Sequence, residues 1–71
     1  MPTEDKIRKT GIISEALPNA QFRVDVSGNE VLCSLKGHLK RSNIRLLEGD
    51  TVEVLISPMD TTRGFVDKLL N

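Results

Sequence analysis

Apolar and polar residues alternate along most of this 71-residue chain, and an alternation with a period of two predicts β-strands. The pattern is clearest in residues 22–26, 31–35 and 52–56, where every second side chain is apolar. Residues 7–16 are expected to form a longer first strand and residues 65–70 a fifth. Turn-forming Gly, Pro, Asn and Ser residues separate these segments at roughly ten-residue intervals, which is typical of a small β-sandwich or β-barrel.

One segment, residues 37–43, breaks the alternation and is expected to be a loop with a short helical turn. Five strands with such an insert after the third is the order of an OB-fold barrel. An SH3-like barrel has a similar strand count, but the long first strand and the position of the insert favour the OB-fold. Gly11, inside the first strand, is expected to mark a bulge or a sharp bend. The prediction is therefore an all-β, five-stranded OB-fold barrel with a short helical turn between strands 3 and 4.

The length allows one domain, and residues 1–71 are expected to form it, with residues 1–5 disordered. No apolar run exceeds three residues, so no membrane span is expected. One cysteine cannot form an internal disulfide, which indicates a reducing compartment. We expect the cytoplasm, or the plastid stroma if the chain is organelle-encoded.

Enzyme motifs are missing from the sequence, which has no glycine-rich phosphate loop, no HExxH pattern and no nucleophile elbow. Cys33 and His38 are too few to build a metal site by themselves. Cys33 falls on the inward phase of its strand, where a thiol behaves as a small hydrophobic group. We therefore expect no enzymatic activity, no cofactor and no metal.

Charge is distributed unevenly, although ten Lys and Arg balance ten Asp and Glu. Residues 36–45 carry four of the cations and no acidic residue. Such a segment attracts phosphates and releases their counterions, and it can contact the bases and hydroxyls of a folded RNA. An ordinary solvated loop is an equally weighted alternative from composition alone. The residues predicted to contact RNA here are Lys36, Gly37, His38, Lys40, Arg41, Asn43 and Arg45.

Leu39 and Ile44 are expected to anchor this insert to the barrel end. Arg63 is predicted in a turn over residues 60–64, where it either extends the basic surface or is a simple turn cation. Phe22 shares the phase of the core positions. Phe65 either stacks on a base or caps the barrel end, and the cap is favoured; both Arg63 and Phe65 are candidate RNA-binding residues. Two aromatic residues in the whole chain are few for general single-strand binding, so recognition of a folded RNA is favoured.

Short motifs recur in a fixed order along nearly the whole chain, and as a set they are specific. They are LPN at residues 17–19, FRV at 22–24, IRL at 44–46, GDTV at 49–52 and SP at 57–58, with Gly37, Asp60 and Gly64. This set resembles bacterial and organellar translation initiation factor one. The resemblance implies an OB-fold that binds the small ribosomal subunit at the decoding A site. It further implies contacts with ribosomal RNA and a ribosomal protein, cooperation with the other initiation factors, and neither catalysis nor a cofactor. The protein is expected to be monomeric.

The resemblance also has departures. Lys40, Arg41 and Arg45 fall where the family has cations, whereas His38 stands at a common lysine position and Asn43 at a frequent aromatic position. The family motif SPYD reads SPMD here. Phe65 replaces a basic residue, and the family's basic tail is absent, so one RNA contact is expected to be lost. Two alternatives therefore stand beside an initiation factor: a cold-shock-like RNA-binding chaperone, and a protein-interaction barrel that has lost RNA binding.

Overall fold

The alternating segments form five β-strands in the computed structural model, which describes residues 6–41 and 45–70. The elements are β1 (Ile7–Leu17), β2 (Gln21–Val26), β3 (Asn29–Leu35), α1 (Gly37–Arg41), β4 (Thr51–Ser57) and β5 (Asp60–Leu69). The strands close into a barrel in the order β1-β2-β3-β5-β4, with β4 paired onto β1. β3 and β5 run parallel, and the other neighbouring strands run antiparallel. This is the predicted OB-fold, with its helical turn between β3 and β4.

Inward-facing side chains fill the barrel with an apolar core. Val24, Cys33, Val54 and Val66 are completely buried, and each lies on the inward phase of its strand. Phe22 belongs to the same core at 8% exposure, as predicted. Full burial of one such aliphatic or aromatic side chain contributes about 1.5–3 kcal/mol. The period-two pattern in residues 22–26, 31–35 and 52–56 therefore identified much of this core, whereas Val66 was not among the predicted core positions.

The insert is anchored to this core at two points. Leu39 of α1 and Leu46, just before β4, are buried and join the core cluster, which confirms the predicted role of Leu39. Ile44, the other predicted anchor, lies outside the described residues, as do Asn43 and residues 1–5, whose disorder stays a prediction. In the part of the chain that the structure describes, no helix is long and apolar enough to cross a membrane.

The bulge predicted at Gly11 lies three residues further along β1. The β1–β2 register shifts between Ile13 and Glu15, which leaves Ser14 as the extra residue. Gly11 itself pairs regularly with Val52. Its role is close packing, because a Cβ atom there would lie 2.5 Å from Val24 Cγ1. The missing side chain thus lets β1 lie close against the neighbouring strand β2.

β5 begins earlier than the sequence pattern indicated, and this changes the position of Arg63. Ser57 pairs with Asp60, so β4 and β5 are joined by a tight turn at residues 58–59. The Asp60 carboxylate then accepts hydrogen bonds from the N–H (3.1 Å) and the hydroxyl (2.5 Å) of Thr62. Arg63 therefore lies in a strand and not in the predicted turn. Residues 60–63 are all polar and exposed, so they carry no alternation that could have marked a strand.

Candidate nucleic-acid interface

Backbone hydrogen bonds hold Lys36 and α1 against the barrel. The Lys36 N–H donates to the Val66 carbonyl oxygen at 3.2 Å, which extends the parallel β3–β5 ladder by one residue. The Leu39 N–H donates to the Lys36 carbonyl oxygen at 3.0 Å, at the start of the helical turn. Because Leu39 is buried, the turn is fixed to the core while Arg41 is exposed. The first residues of the basic segment are therefore held in place at the barrel surface.

The arginines of β1 and β2 are paired with carboxylates. Arg8 Nη1 lies 2.7 Å from Glu53 Oε1 and 3.4 Å from Asp67 Oδ2. Arg23 Nη1 lies 3.6 Å from Oε1 of one glutamate and 3.8 Å from Oε1 of a second glutamate. Such solvent-exposed pairs contribute little to stability, because water and salt screen them. Their consequence is electrostatic, because they neutralise the charge of both arginines.

Four cations of the predicted RNA-binding set lack such partners within the described residues. Among the residues that the structure describes, no carboxylate oxygen lies within 4.0 Å of the side-chain nitrogens of Lys36, Arg41, Arg45 or Arg63. Arg41 and Arg45 are both exposed. No direct ion pair with a carboxylate of the described residues therefore neutralises these four cations. The formally neutral chain thus presents a positively charged face.

Phe65 lies on the outer surface of the barrel and does not cap its end, which corrects the favoured prediction. It pairs with Ser34 of β3 on one side and Leu55 of β4 on the other. Its side chain is 43% exposed, and it is not a member of the core cluster. Leu55 also faces outward and is outside the core cluster, yet it is only 8% exposed. Together they form an apolar patch on the outer face of β3, β5 and β4.

Two adjoining surface depressions, one larger and one smaller, surround this patch. We call the two together the Phe65 depression. One has a volume of about 280 Å³ and the other about 180 Å³. Lys6, Leu55 and Phe65 line both; Lys36 and Gly37 line the smaller one, and Arg63 lines the larger. The fold therefore brings Lys36, Gly37, Arg63 and Phe65 of the predicted set to one surface.

Other members of the predicted set are placed differently. Arg41 Nη1 would lie 3.6 Å from a Cβ atom built on Gly37, so its side chain reaches the edge of the same surface. Arg45 is exposed on the segment that returns to β4. The side chains of His38 and Lys40 and the whole of Asn43 lie outside the described part of the structure, so their roles stay predictions.

Among the residues of the depression that sequence reasoning missed are two apolar ones, Leu55 and Leu32. Each stands at an outward position of a strand whose other outward positions are mostly polar. An apolar side chain on the polar phase was therefore the signal of an external apolar surface. Lys6 was also missed, because it lies just before β1 and comes to this surface through the β1–β4 pairing.

Asp60 places a negative charge on the rim of the larger depression. The hydrogen bonds from the Thr62 hydroxyl and N–H lower the pKa of Asp60, and the charge of Arg63 contributes a smaller effect in the same direction. Asp60 is therefore ionised near neutral pH. The Lys36 side of the depression is consequently the more favourable side for phosphate.

Cys33 is an unreactive core residue. Burial disfavours the charged thiolate and raises the pKa of Cys33 to about 11. A thiol needs exposure and a cationic neighbourhood to act as a nucleophile, and Cys33 is completely buried. Within the described residues, no group of three His, Cys, Asp or Glu side chains could hold a metal ion.

The Cys33 thiol is expected to resist alkylation in the folded protein. At pH 8 roughly one thiol in a thousand would be ionised with this pKa, and the barrel wall blocks access. Reaction with iodoacetamide, followed by mass spectrometry, should therefore be at least about a hundredfold slower in buffer than in guanidinium chloride. Equal rates in the two solutions would show that Cys33 is accessible and would contradict this placement.

The fold and the charged face together define a class, a small OB-fold barrel with an exposed cationic surface next to its helical insert. No protein-family model matches the chain. It is similar to the solution structure of translation initiation factor one from the Wolbachia endosymbiont strain TRS of Brugia malayi, with 30% identity and a TM-score of 0.75. That similarity covers 96% of this chain and 82% of the other. The chain belongs to the family of translation initiation factor one.

A second solved structure is similar over a smaller part of its own chain. The crystal structure of YjeQ from Thermotoga maritima matches with 27% identity and a TM-score of 0.72. The similarity covers 92% of this chain but 23% of YjeQ. The barrel described above therefore corresponds to one portion of that larger protein.

Proposed function

We propose that this protein is an initiation factor that binds the small ribosomal subunit at the decoding A site. Family membership carries the proposal, and the exposed cations of the insert support it. In this role it contacts ribosomal RNA and a ribosomal protein, and it works with the other initiation factors. It acts as a monomer by occupying its site, without catalysis and without a cofactor, in the cytoplasm or the plastid stroma.

The electrostatics of the barrel surface support an RNA partner. Within residues 6–41 and 45–70, neighbouring acids do not neutralise Lys36, Arg41 and Arg45, whereas they do neutralise Arg8 and Arg23. Each cation that neutralises a phosphate releases a counterion, which is the main sequence-independent source of affinity for nucleic acid. The rigid anchoring of α1 through Leu39 also lowers the entropy cost of presenting these charges.

Co-sedimentation with isolated small ribosomal subunits tests this proposal. At low salt we expect the protein to pellet with the subunits at about one copy each, and a ligand of the A site should displace it. A plot of log affinity against log salt concentration should be a falling straight line, and each phosphate contact should contribute about 0.7–0.9 to its slope. If the protein stays in the supernatant even at low salt, the proposed function is wrong.

A chaperone of the cold-shock type is the second candidate, and the exposure of Phe65 is the observation that favours it. Chaperones of this kind hold unstructured strands on aromatic surfaces. Unstructured oligonucleotides should then compete with the small subunit at similar concentrations. An initiation factor should instead prefer the subunit strongly, since its surface fits a folded RNA.

A further inference from the structure

We propose that the Phe65 depression binds one unpaired nucleobase, stacked on the Phe65 ring, within the RNA partner. The inference rests on the proposed RNA binding and names the element that this part of the surface recognises. Phe65 offers an exposed aromatic face, and such a face suits contact with a base.

The apolar floor of the depression is the first observation that supports a base. Phe65 presents 43% of its side chain, and Leu55 beside it is 8% exposed although it faces outward. Leu32 lies on the neighbouring strand and lines the same depression. A base has two apolar faces, and stacking one of them on an aromatic side chain is a common mode of binding unpaired nucleotides. A paired base inside a helix cannot offer its face in this way.

The positions of the cations are the second observation. Arg63 lies two residues before Phe65 on the same strand, and it pairs with Leu32. Lys36 lies two residues after Ser34, which pairs with Phe65. Cations thus stand on both sides of the ring along the strand direction, where the phosphates that flank a stacked base would lie. Because Asp60 is on the rim near Arg63, the stronger phosphate contact is expected at Lys36.

Polar side chains beside the ring supply the third observation. Ser34 and Gln21 line the larger depression together with Phe65. A serine hydroxyl and a glutamine amide both donate and accept hydrogen bonds, so they can pair with the edge of a base. The volume of about 280 Å³ is slightly below the roughly 300–1,000 Å³ of drug-sized ligand pockets. An open depression of this size suits a single flat ring system better than a folded peptide segment.

The aromatic content of the chain allows a direct test by NMR. The sequence has two phenylalanines and no tryptophan or tyrosine, so the aromatic spectrum contains two phenylalanine spin systems. Phe22 is buried in the core and serves as an internal control. The protein would be titrated with an RNA hairpin whose loop is a nucleotide-free linker and whose stem has one bulged adenosine and, separately, with the same hairpin lacking the bulge, which then contains no unpaired base. The bulged RNA is expected to shift the Phe65 ring protons upfield while the Phe22 resonances stay in place.

Each outcome of this titration has a defined meaning. Equal Phe65 shifts with both hairpins would overturn the base proposal. Shifts of the Lys36 and Arg41 amides without a Phe65 shift would also overturn it, while the proposed RNA binding would stand. Failure of both hairpins to bind would overturn the base proposal, and small-subunit co-sedimentation would then decide the proposed function separately. A Phe65 response to an apolar peptide but not to the bulged RNA would overturn it and assign the depression to a protein partner.

Substitution at Phe65 provides the matching affinity test. Phe65→Ala is expected to weaken binding of the bulged hairpin about tenfold and to leave the unbulged hairpin within about twofold. Ile12→Ala is the control, because Ile12 is an exposed apolar residue on β1 outside the depression. The Ile12→Ala variant should bind both hairpins with the affinity of the parent protein. An equal loss on both hairpins for Phe65→Ala would contradict base stacking.

Discussion

Replacing Arg41 and Arg45 together by alanine is expected to weaken small-subunit binding about 20-fold at physiological salt. The estimate assumes one phosphate contact per arginine, with a counterion-release slope of about 0.7–0.9 for each. At about 0.15 M salt such a slope corresponds to roughly a fourfold to fivefold loss per contact. The slope of log affinity against log salt should become shallower by about 1.4–1.8 in the same variant. Co-sedimentation at several salt concentrations measures both quantities.

The matched control removes two cations that are already paired. Arg8→Ala combined with Arg23→Ala changes the net charge by the same amount, but both side chains lie against carboxylates in the folded barrel. This double variant should change the slope of log affinity against log salt by less than the double replacement of Arg41 and Arg45 does. If both double variants lose affinity equally, net charge governs binding and the insert is not a specific contact surface.

Replacing Gly11 by alanine is expected to destabilise the barrel by about 1–3 kcal/mol. The new Cβ atom would lie 2.5 Å from Val24 Cγ1, 2.9 Å from the Asp25 carbonyl oxygen and 2.9 Å from Val26 Cγ2. All three distances are below van der Waals contact, and one of them involves backbone that is fixed by the β1–β2 ladder. A domain of this length has about 4–10 kcal/mol of stability in total, so the loss is a large fraction of it.

Urea unfolding followed by circular dichroism measures this effect. Gly37→Ala is the control, because a Cβ atom there would meet one neighbour, Arg41 Nη1, at an ordinary 3.6 Å. We expect that variant to stay within about 0.5 kcal/mol of the parent protein. A Gly11→Ala midpoint equal to that of the parent would show that β1 and β2 can separate without cost, contrary to the packing described above.

Much of the fold was predictable because its signals are local. Alternation in residues 22–26 and 52–56 places every second side chain in the core, and this follows from the two-residue repeat of a strand whatever its partners are. The cationic insert could also be predicted, since Lys36, Arg41 and Arg45 follow one another in the chain without an acid between them. The OB-fold then followed from the position of that insert in the order of strands.

Three features could not be predicted in the same way. The bulge is at Ser14 because the register between β1 and β2 decides it, and a glycine nearby is not sufficient evidence. The extension of β5 over Arg63 depends on pairing with β3, since its own polar residues show no pattern. The surface position of Phe65 depends on which strands flank it, Ser34 on one side and Leu55 on the other.

Residue order alone therefore determined where most of each strand lies, which side chains of residues 22–26, 31–35 and 52–56 enter the core, and where the positive charge lies. Each of these is a property of neighbours along one segment, so no knowledge of the partner segment was needed. Tertiary structure decided which of these charges are neutralised and which surface surrounds Phe65. Both depend on contacts between strands far apart in sequence, such as Arg8 with Glu53 and Phe65 with Leu55. Only barrel closure sets these contacts, because it fixes every strand's register against two neighbours at once.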